Sequence, residues 1–234
     1  MNGLIKQEQH LTFGLYLKDI IFAANDGIIT TFAVISAVAG AELSATVILI
    51  VGLANIFADG FSMAAGNYLG TKSEIEFYRR EEARERYEVE TIPDKEREEI
   101  REILAKKGYQ GRQLEDIVVL ISGNKQYWID FMMHEELGLY SREGDSPMKH
   151  GLATFISFVI AGSLPIWPYL LFGSQATFLS AIICSAVSLF VIGAWRKYFS
   201  GKSWVISGLE MLLVGGSAGA IAYFVGYLLK AIVS

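Results

Sequence analysis

Charge is what most of this chain lacks. Outside residues 71–149, 155 residues carry only 12 charged side chains, while that one segment holds 19 of the 25 acids and 14 of the 20 Lys and Arg. A soluble domain does not leave so much of its sequence uncharged. With 52% hydrophobic residues and a positive mean hydropathy, the distribution describes a membrane protein carrying one polar insert.

Cysteine and histidine are scarce as well. Cys184 is the single cysteine and stands inside an apolar run, so the chain forms no intramolecular disulfide, and the residue reads as a small apolar filler. Among the three histidines, His134 opens "HEELG", which begins like a zinc-protease helix; H-E-x-x-H needs a second histidine where Gly138 stands. A di-iron oxidase of the ferritin type needs Glu-x-x-His on two helices, and the residue three before His134 is Phe131. The chain therefore reads as no enzyme. No basic stripe interleaved with aromatics occurs, which excludes a nucleic-acid surface. The N-terminal "MNGLIKQEQHLTFG" has neither an apolar core nor a small-residue cleavage site, so it reads as a short interfacial helix and not as a cleaved signal peptide.

What is present is a set of five long apolar runs: Ile20–Ala41, Leu43–Leu69, Gly151–Gly173, Ala176–Trp195 and Trp204–Leu229. Each exceeds the roughly 18 residues that a helix rising about 1.5 Å per residue needs to cross a ~30 Å hydrocarbon core. Pro165 and Pro168 predict a kink in the third. The short links after the first and third runs carry no Lys or Arg, whereas the second and fourth do and the N-terminal tail adds Lys6 and Lys18. By the positive-inside tendency, the N-terminus and the insert are expected in the cytosol and the C-terminus on the far side. The fold class is thus an all-α membrane protein of five transmembrane helices, with a helical cytosolic insert between spans two and three. The divisions are 1–70, 71–149 and 150–234.

Helix signals recur through the insert. The second span is expected to run on into "LGTKSEIEFYRREEARERYEVE". Thr91 with Pro93 opens a helix that Gly108 ends, "RQLEDIVVLIS" is closed by Gly123, and Asn124 caps a helix that Gly138 ends. Glu81, Glu85 and Glu88 share one helical face, Glu96 and Glu99 share another, and Met132 with Met133 precedes Glu136 by four and three residues. The same spacing suits solvated faces with i,i+4 ion pairs to Arg79, Arg80, Arg84 and Arg86, and methionines that only pack. A convergence of carboxylates with thioethers would instead suit a borderline divalent ion such as Fe2+, better than Mg2+ or Ca2+.

Two spans contain an acid in their bodies. Asp26 lies in "IFAANDGIITTF", with Asn25 before it and Thr30 one turn on. Asp59 begins a stripe with Met63 and Asn67 at successive i+4 steps. An ionised Asp at mid-membrane costs roughly 2.5–3.5 kcal/mol on insertion scales, so such residues face a bundle interior or a wet path. Facing each other, the two stripes would line an ion pathway with Asp26, Asp59, Met63 and Asn67. Gly27, Gly60, Gly66 and Gly70 would let helices approach, Gly215 and Gly219 have the GxxxG spacing of a helix dimer, and Glu210 reads equally as an interfacial residue or a proton site.

The motifs "NDGIITTFAVISAVAGA" and "NIFADGFSMAAGNYLGTKSE", followed by an acidic helical insert and three further apolar spans, resemble the vacuolar iron transporter family over about residues 14–230. The resemblance implies a five-span homodimer in the lipid bilayer that moves Fe2+, and often Mn2+, out of the cytosol in exchange for protons. The metal is substrate, with no cofactor permanently bound. It further implies that Asp26 and Met63 are pore residues, with less support for Asp59, and that Glu85, Glu88, Glu96, Glu99, Met132, Met133 and Glu136 bind metal. A short N-terminal segment favours a prokaryotic plasma membrane over a vacuolar one. Two other classes stay open: a membrane-anchored metal sensor or buffer, and a proton-coupled transporter of another solute.

Overall fold

The structure is a computed structural model that describes residues 2–141, 144–197, 201 and 203–233, with side chains from Tyr16 onward except Ser174 and Val233. Lys6, by its side chain, and Lys202, both used above for orientation, lie outside the described residues. The described residues are helical, with no strand among them. Five helices are long and apolar enough to cross a membrane, with apolar segments beginning at Tyr16, Ala45, Pro147, Phe178 and Trp204. The chain is a multi-pass membrane protein.

The helices are α1 (Asn2–Gly40), α2 (Ala45–Thr91), α3 (Pro93–Lys106), α4 (Gly111–Ser122), α5 (Lys125–Glu135), α6 (Pro147–Ser163), α7 (Trp167–Phe172), α8 (Phe178–Trp195) and α9 (Trp204–Val233). They form two compact units, Met1–Tyr68 with Pro147–Ser234, and Leu69–Ser146. No proline interrupts the N-terminal segment, so it is not a separate interfacial helix but the start of α1. The second span continues without a break for 47 residues, so α2 contributes to both units.

In the bundle, α1 packs along α6, α9 and α8, and α8 packs on α9. Close approach between α1 and α6 depends on two facing glycines. A Cβ on Gly27 would lie 2.7 Å from the Phe158 carbonyl, and one on Gly162 would lie 3.0 Å from the Gly27 carbonyl. Gly60 faces Phe158 and Phe155, whereas Gly66 and Gly70 face open space. Gly215 and Gly219 are taken up inside the chain. Cβ atoms there would meet Leu189 and Phe32, both at 2.3 Å, so this GxxxG serves packing within one copy and is no sign of a dimer.

The third span breaks where the prolines stand. α6 gives way to a 3-10 turn at Leu164–Ile166 before α7. Pro168 has no N–H for the carbonyl of Leu164 four residues earlier. That carbonyl instead accepts from the Trp167 N–H and from the Cys184 thiol at 3.1 Å. Within hydrocarbon, backbone freed at a proline must find such partners. Cys184 is therefore a donor as well as a filler.

The insert has its own core of Val89 from α2, Ile100 and Leu104 from α3, Leu114, Val118 and Ile121 from α4, and Trp128, Ile129, Met132 and Met133 from α5. Asn124 caps α5 by accepting from the Tyr127 N–H at 3.1 Å. Gly108 and Gly138 follow α3 and α5 with φ of +98° and +65°, the left-handed region that ends helices. Thr91 opens nothing. It is the last residue of α2, its hydroxyl donates to the Tyr87 carbonyl, and α3 begins with proline at its first position.

Candidate metal sites

The acidic residues of the insert separate into two groups. Glu81 pairs with Arg80 at 2.9 Å, Glu82 with Arg86 at 3.1 Å, Glu88 with Arg84 at 3.1 Å and Glu99 with Lys95 at 2.8 Å. These acids are partly exposed, and ion pairs of this kind add little to stability. Among the described residues Glu85 and Glu96 have no such partner. They are 3% and 0% exposed, and Oε2 of Glu85 and both carboxylate oxygens of Glu96 lack any hydrogen-bond donor.

Regular helix geometry brings these groups together. Glu85 and Glu88 face one way at i,i+3 on α2, and Glu96 stands in the first turn of α3 after the turn at Ile92. One oxygen from each of Glu85, Glu88 and Glu96 lies within 4.8 Å of the others. Oxygens on opposite sides of one small divalent ion, at ~2.1 Å from it, are about 4.2 Å apart. Small side-chain rotations therefore suffice to bind such an ion.

Burial raises the carboxyl pKa of Glu85 to about 7, and the charges of Glu136, Glu96 and Glu88 add to the effect. Glu96 is raised to about 7 by burial first and then by Glu99 and Glu88. Glu136 follows α5 and is exposed as a residue, yet its carboxyl is raised by partial desolvation and then by Glu99 and Glu88. Five glutamates thus share one field in which a proton or a cation relieves repulsion. Met132 and Met133 are fully buried in the apolar core, where packing alone accounts for them.

In the bundle, Asp26 on α1 and Asp59 on α2 are half-buried and within electrostatic reach of each other. No hydrogen-bond donor or cation among the described residues is bonded to either carboxylate. Thr30 turns its hydroxyl back to the Asp26 carbonyl at 2.8 Å, leaving the carboxylate alone. Met63 is half-buried on the Asp59 stripe. Asn67, the fourth residue read as pathway, donates its amide to Thr154 Oγ1 at 2.7 Å and to the His150 carbonyl at 3.4 Å, so it ties α2 to α6.

The sequence reading missed several polar groups here. Asn55 stands four residues before Asp59, and its Nδ2 is buried without a partner, as is Oγ1 of Thr31; Oδ1 of Asn25, already noted beside Asp26, is in the same state. The signal for Asn55 was present, since it continues the i+4 stripe of Asp59, Met63 and Asn67 by one turn. His150 was also passed over. It is buried, pairs with Asp19 on α1, and lies against the Tyr16 ring at 4.6 Å. No local motif could have announced a pair 131 residues apart in sequence. Glu210 approaches Arg196 at 4.0 Å, which gives it an ion-pair partner at the start of α9.

This arrangement of membrane carboxylates and an acidic helical insert has relatives. The VIT family model matches residues 17–227. A vacuolar iron transporter of Centaurea cyanus is 36% identical over 93% of this chain and 89% of its own length. One from Toxoplasma gondii is 35% identical over 100% of this chain and 80% of its own length, and vacuolar iron transporter 1 of Arabidopsis thaliana is 32% identical over 92% and 87%. The chain belongs to the VIT family.

Proposed function

We propose that this protein carries Fe2+, with Mn2+ as a second substrate, out of the cytosol in exchange for protons, working as a homodimer. The observation that carries the reading is the pair Asp26 and Asp59. These are acids on adjacent spans, half-buried, with no protein donor or cation bonded to them and unpartnered amide atoms of Asn25 and Asn55 on the same two helices. A carboxylate in a membrane span without a protein partner suits a position where a cation and a proton alternate. Membership of a family whose relatives are named vacuolar iron transporters supports metal as the cargo.

In this mechanism, Glu85, Glu88, Glu96, Glu99 and Glu136 collect the ion, displacing protons from Glu85 and Glu96. Met132 and Met133, packed in the apolar core of the insert, add their thioethers when they turn toward these carboxylates. The ion then passes to Asp26 and Met63, with Asp59 and Asn67 along the path, and protonation of Asp26 from the far side releases it. The insert faces the cytosol, and the membrane is the plasma membrane of a prokaryote or the vacuolar membrane of a eukaryote. No bond in a substrate is made or broken, so the protein is a carrier and not an enzyme.

The test is Fe2+ uptake into proteoliposomes with and without a pH gradient, comparing wild type with Asp26→Asn. Wild type is expected to accumulate Fe2+ only when the lumen is the more acidic side, so that protons leave as the metal enters, and the variant to be inactive. Equal uptake by both, or none by wild type, defeats the reading. A sensor with an anchoring bundle predicts intact metal binding without flux in wild type.

A further inference from the structure

Besides Asp26 and Asp59, the bundle contains a buried ionisable pair that the transport reading leaves unused. His150 on α6 and Asp19 on α1 are 8% and 14% exposed by side chain, and the imidazole Nδ1 is hydrogen-bonded to a carboxylate oxygen of Asp19. The Tyr16 ring lies 4.6 Å from the imidazole. His150 is the fourth residue of α6, and Tyr16 is where the apolar part of α1 begins, so the pair stands at the end of the bundle from which α2 leaves for the insert.

Helix geometry connects this pair to the acids. Asp19 precedes Asp26 by seven residues, about two turns, so the two share one face of α1 roughly 10 Å apart along its axis. On α2, the stripe of Asp59, Met63 and Asn67 ends at the same place, because Asn67 donates to Thr154 Oγ1 at 2.7 Å and to the His150 carbonyl at 3.4 Å. Gly151 lets α6 come this close, since a Cβ there would lie 2.9 Å from the Ala64 carbonyl. Both stripes thus terminate at His150 and Asp19.

Holding the helices together does not require the pair. α1 is already seated on α6 by Gly27 and Gly162, and α2 by Asn67 with Thr154. A buried ion pair adds little net stability over apolar residues of similar volume, whereas ionisable residues within a span mark ion and proton routes. An ionised Asp19 has no proton to give, so Nδ1 is the donor, and the neutral imidazole has its lone pair on Nε2. When Nε2 takes a proton, Asp19 is already in place to balance the charge. We infer that His150, held by Asp19, is the proton-transfer group at the insert end of the pathway: it accepts the proton that Asp26 gives up as metal binds, and passes it to water on that side. The O–H bond of the Asp26 carboxyl breaks, water in the path carries the proton over the two turns, and an N–H bond forms at Nε2 and then breaks to bulk water. No electrons are transferred. Besides Asp19, titratable side chains on the surrounding turns are Tyr16 and Lys18 of α1, Tyr68 of α2, which lies against Gly151, and Lys149 of α6. The inference rests on the proton-coupled transport proposed above and supplies the group that returns the proton.

The experiment measures Fe2+ flux in proteoliposomes of the full chain at saturating Fe2+, with pH varied on the side from which metal enters. Saturation removes the competition between metal and protons at Glu85 and Glu96, which acts on KM, and leaves the maximal rate. In wild type this rate is expected to rise as that pH goes from about 5.5 to 8, through the ordinary imidazole range near 6.5, because the proton then leaves Nε2 more readily. His150→Gln should lose the rise and keep KM. Thr154→Val, which removes an acceptor of Asn67 and leaves the imidazole, should lower thermal stability and keep the rise. A second measurement leaves His150 in place: with His10→Gln and His134→Gln it is the single histidine of the chain, and its infrared imidazole bands should titrate over the same range. An unchanged rise in His150→Gln, a rise lost equally in Thr154→Val, or an imidazole that keeps one protonation state throughout overturns the inference. A wild type that carries no Fe2+ defeats the transport reading instead.

Discussion

The insert and the bundle both contain carboxylates that no basic residue neutralises, and they do so in opposite settings. The insert is rich in Lys and Arg, yet Glu85 and Glu96 are left without a partner while Glu81, Glu82, Glu88 and Glu99, on the same helices, each have one. Selective omission among available cations is what makes Glu85 and Glu96 candidates for a site. In the bundle no cation among the described residues pairs with Asp26 or Asp59, and the same two helices carry the unpartnered amide atoms Asn25 Oδ1 and Asn55 Nδ2. In the insert burial and crowding raise Glu85 and Glu96 to about 7, whereas in the bundle Asp26 and Asp59 are half-buried with no donor among the described residues.

The largest effect expected is at the bundle. Asp26→Asn keeps the shape and removes the charge, and Fe2+ flux in proteoliposomes should fall by at least about tenfold, a loss of ~1.4 kcal/mol or more. Metal binding by the insert in the same protein should be unchanged. A loss of binding together with flux would erase the distinction between the two regions.

The insert is sharpened by comparing its own acids. Glu96→Gln and Glu85→Gln should each weaken Fe2+ or Mn2+ binding to the detergent-purified protein, measured by titration calorimetry, by roughly 10–100-fold, the scale at which losing metal-site partners acts. Glu81→Gln and Glu82→Gln remove only surface ion pairs and should change affinity less than about twofold. If all four variants weaken binding equally, the acidic face acts as a diffuse field and not as a site.

A smaller effect tests the stored protons. Glu85 and Glu96 titrate near 7 in the folded insert and near 4.5 when it unfolds. Between those values the folded state holds protons that the unfolded state has released, so stability falls as pH rises through that window. Amide exchange in α3 and α5 of the metal-free protein, corrected for intrinsic rates, should therefore be more protected at pH 5 than at pH 8. Divalent metal should restore protection at pH 8, where it takes the place of the protons. Protection that rises with pH in the metal-free protein would mean that these carboxylates are stabilised as anions.

Much of this comparison is visible in the sequence, and the parts that are not share a cause. The spans were legible because apolar length is a local property. So was α5, because Asn124 and Gly138 act on their immediate neighbours. The stripe of Asp59, Met63 and Asn67 follows from a fixed 3.6-residue turn, and Asn55 would have followed from the same rule. Whether a glutamate has an arginine is only partly local: Glu88 has Arg84 four residues before it, whereas Glu85 has Glu81 and Val89 at that spacing, and the burial of Glu85 follows only from the packing of α3 against α2. Gly215 and Gly219 make the same point, since their spacing announces a close helix and only the fold shows that the helices are α8 and α1.

The smallest effect lies at the break in the third span, where a residue first read as filler makes a contact. Cys184 donates to the Leu164 carbonyl, which Pro168 cannot supply with an N–H and which also accepts from the Trp167 N–H. Hydrogen bonds between membrane helices average about 0.6 kcal/mol, because the unfolded helices also find partners in the bilayer. Cys184→Ala should therefore lower thermal stability in detergent slightly, and Cys184→Ser, which keeps a donor of similar size, should restore it. The order reverses if packing alone matters: alanine then matches wild type, while serine buries a more polar group against α7 and is the less stable of the two. The sign of the difference between these two variants thus reports whether the broken helix depends on a donor from α8.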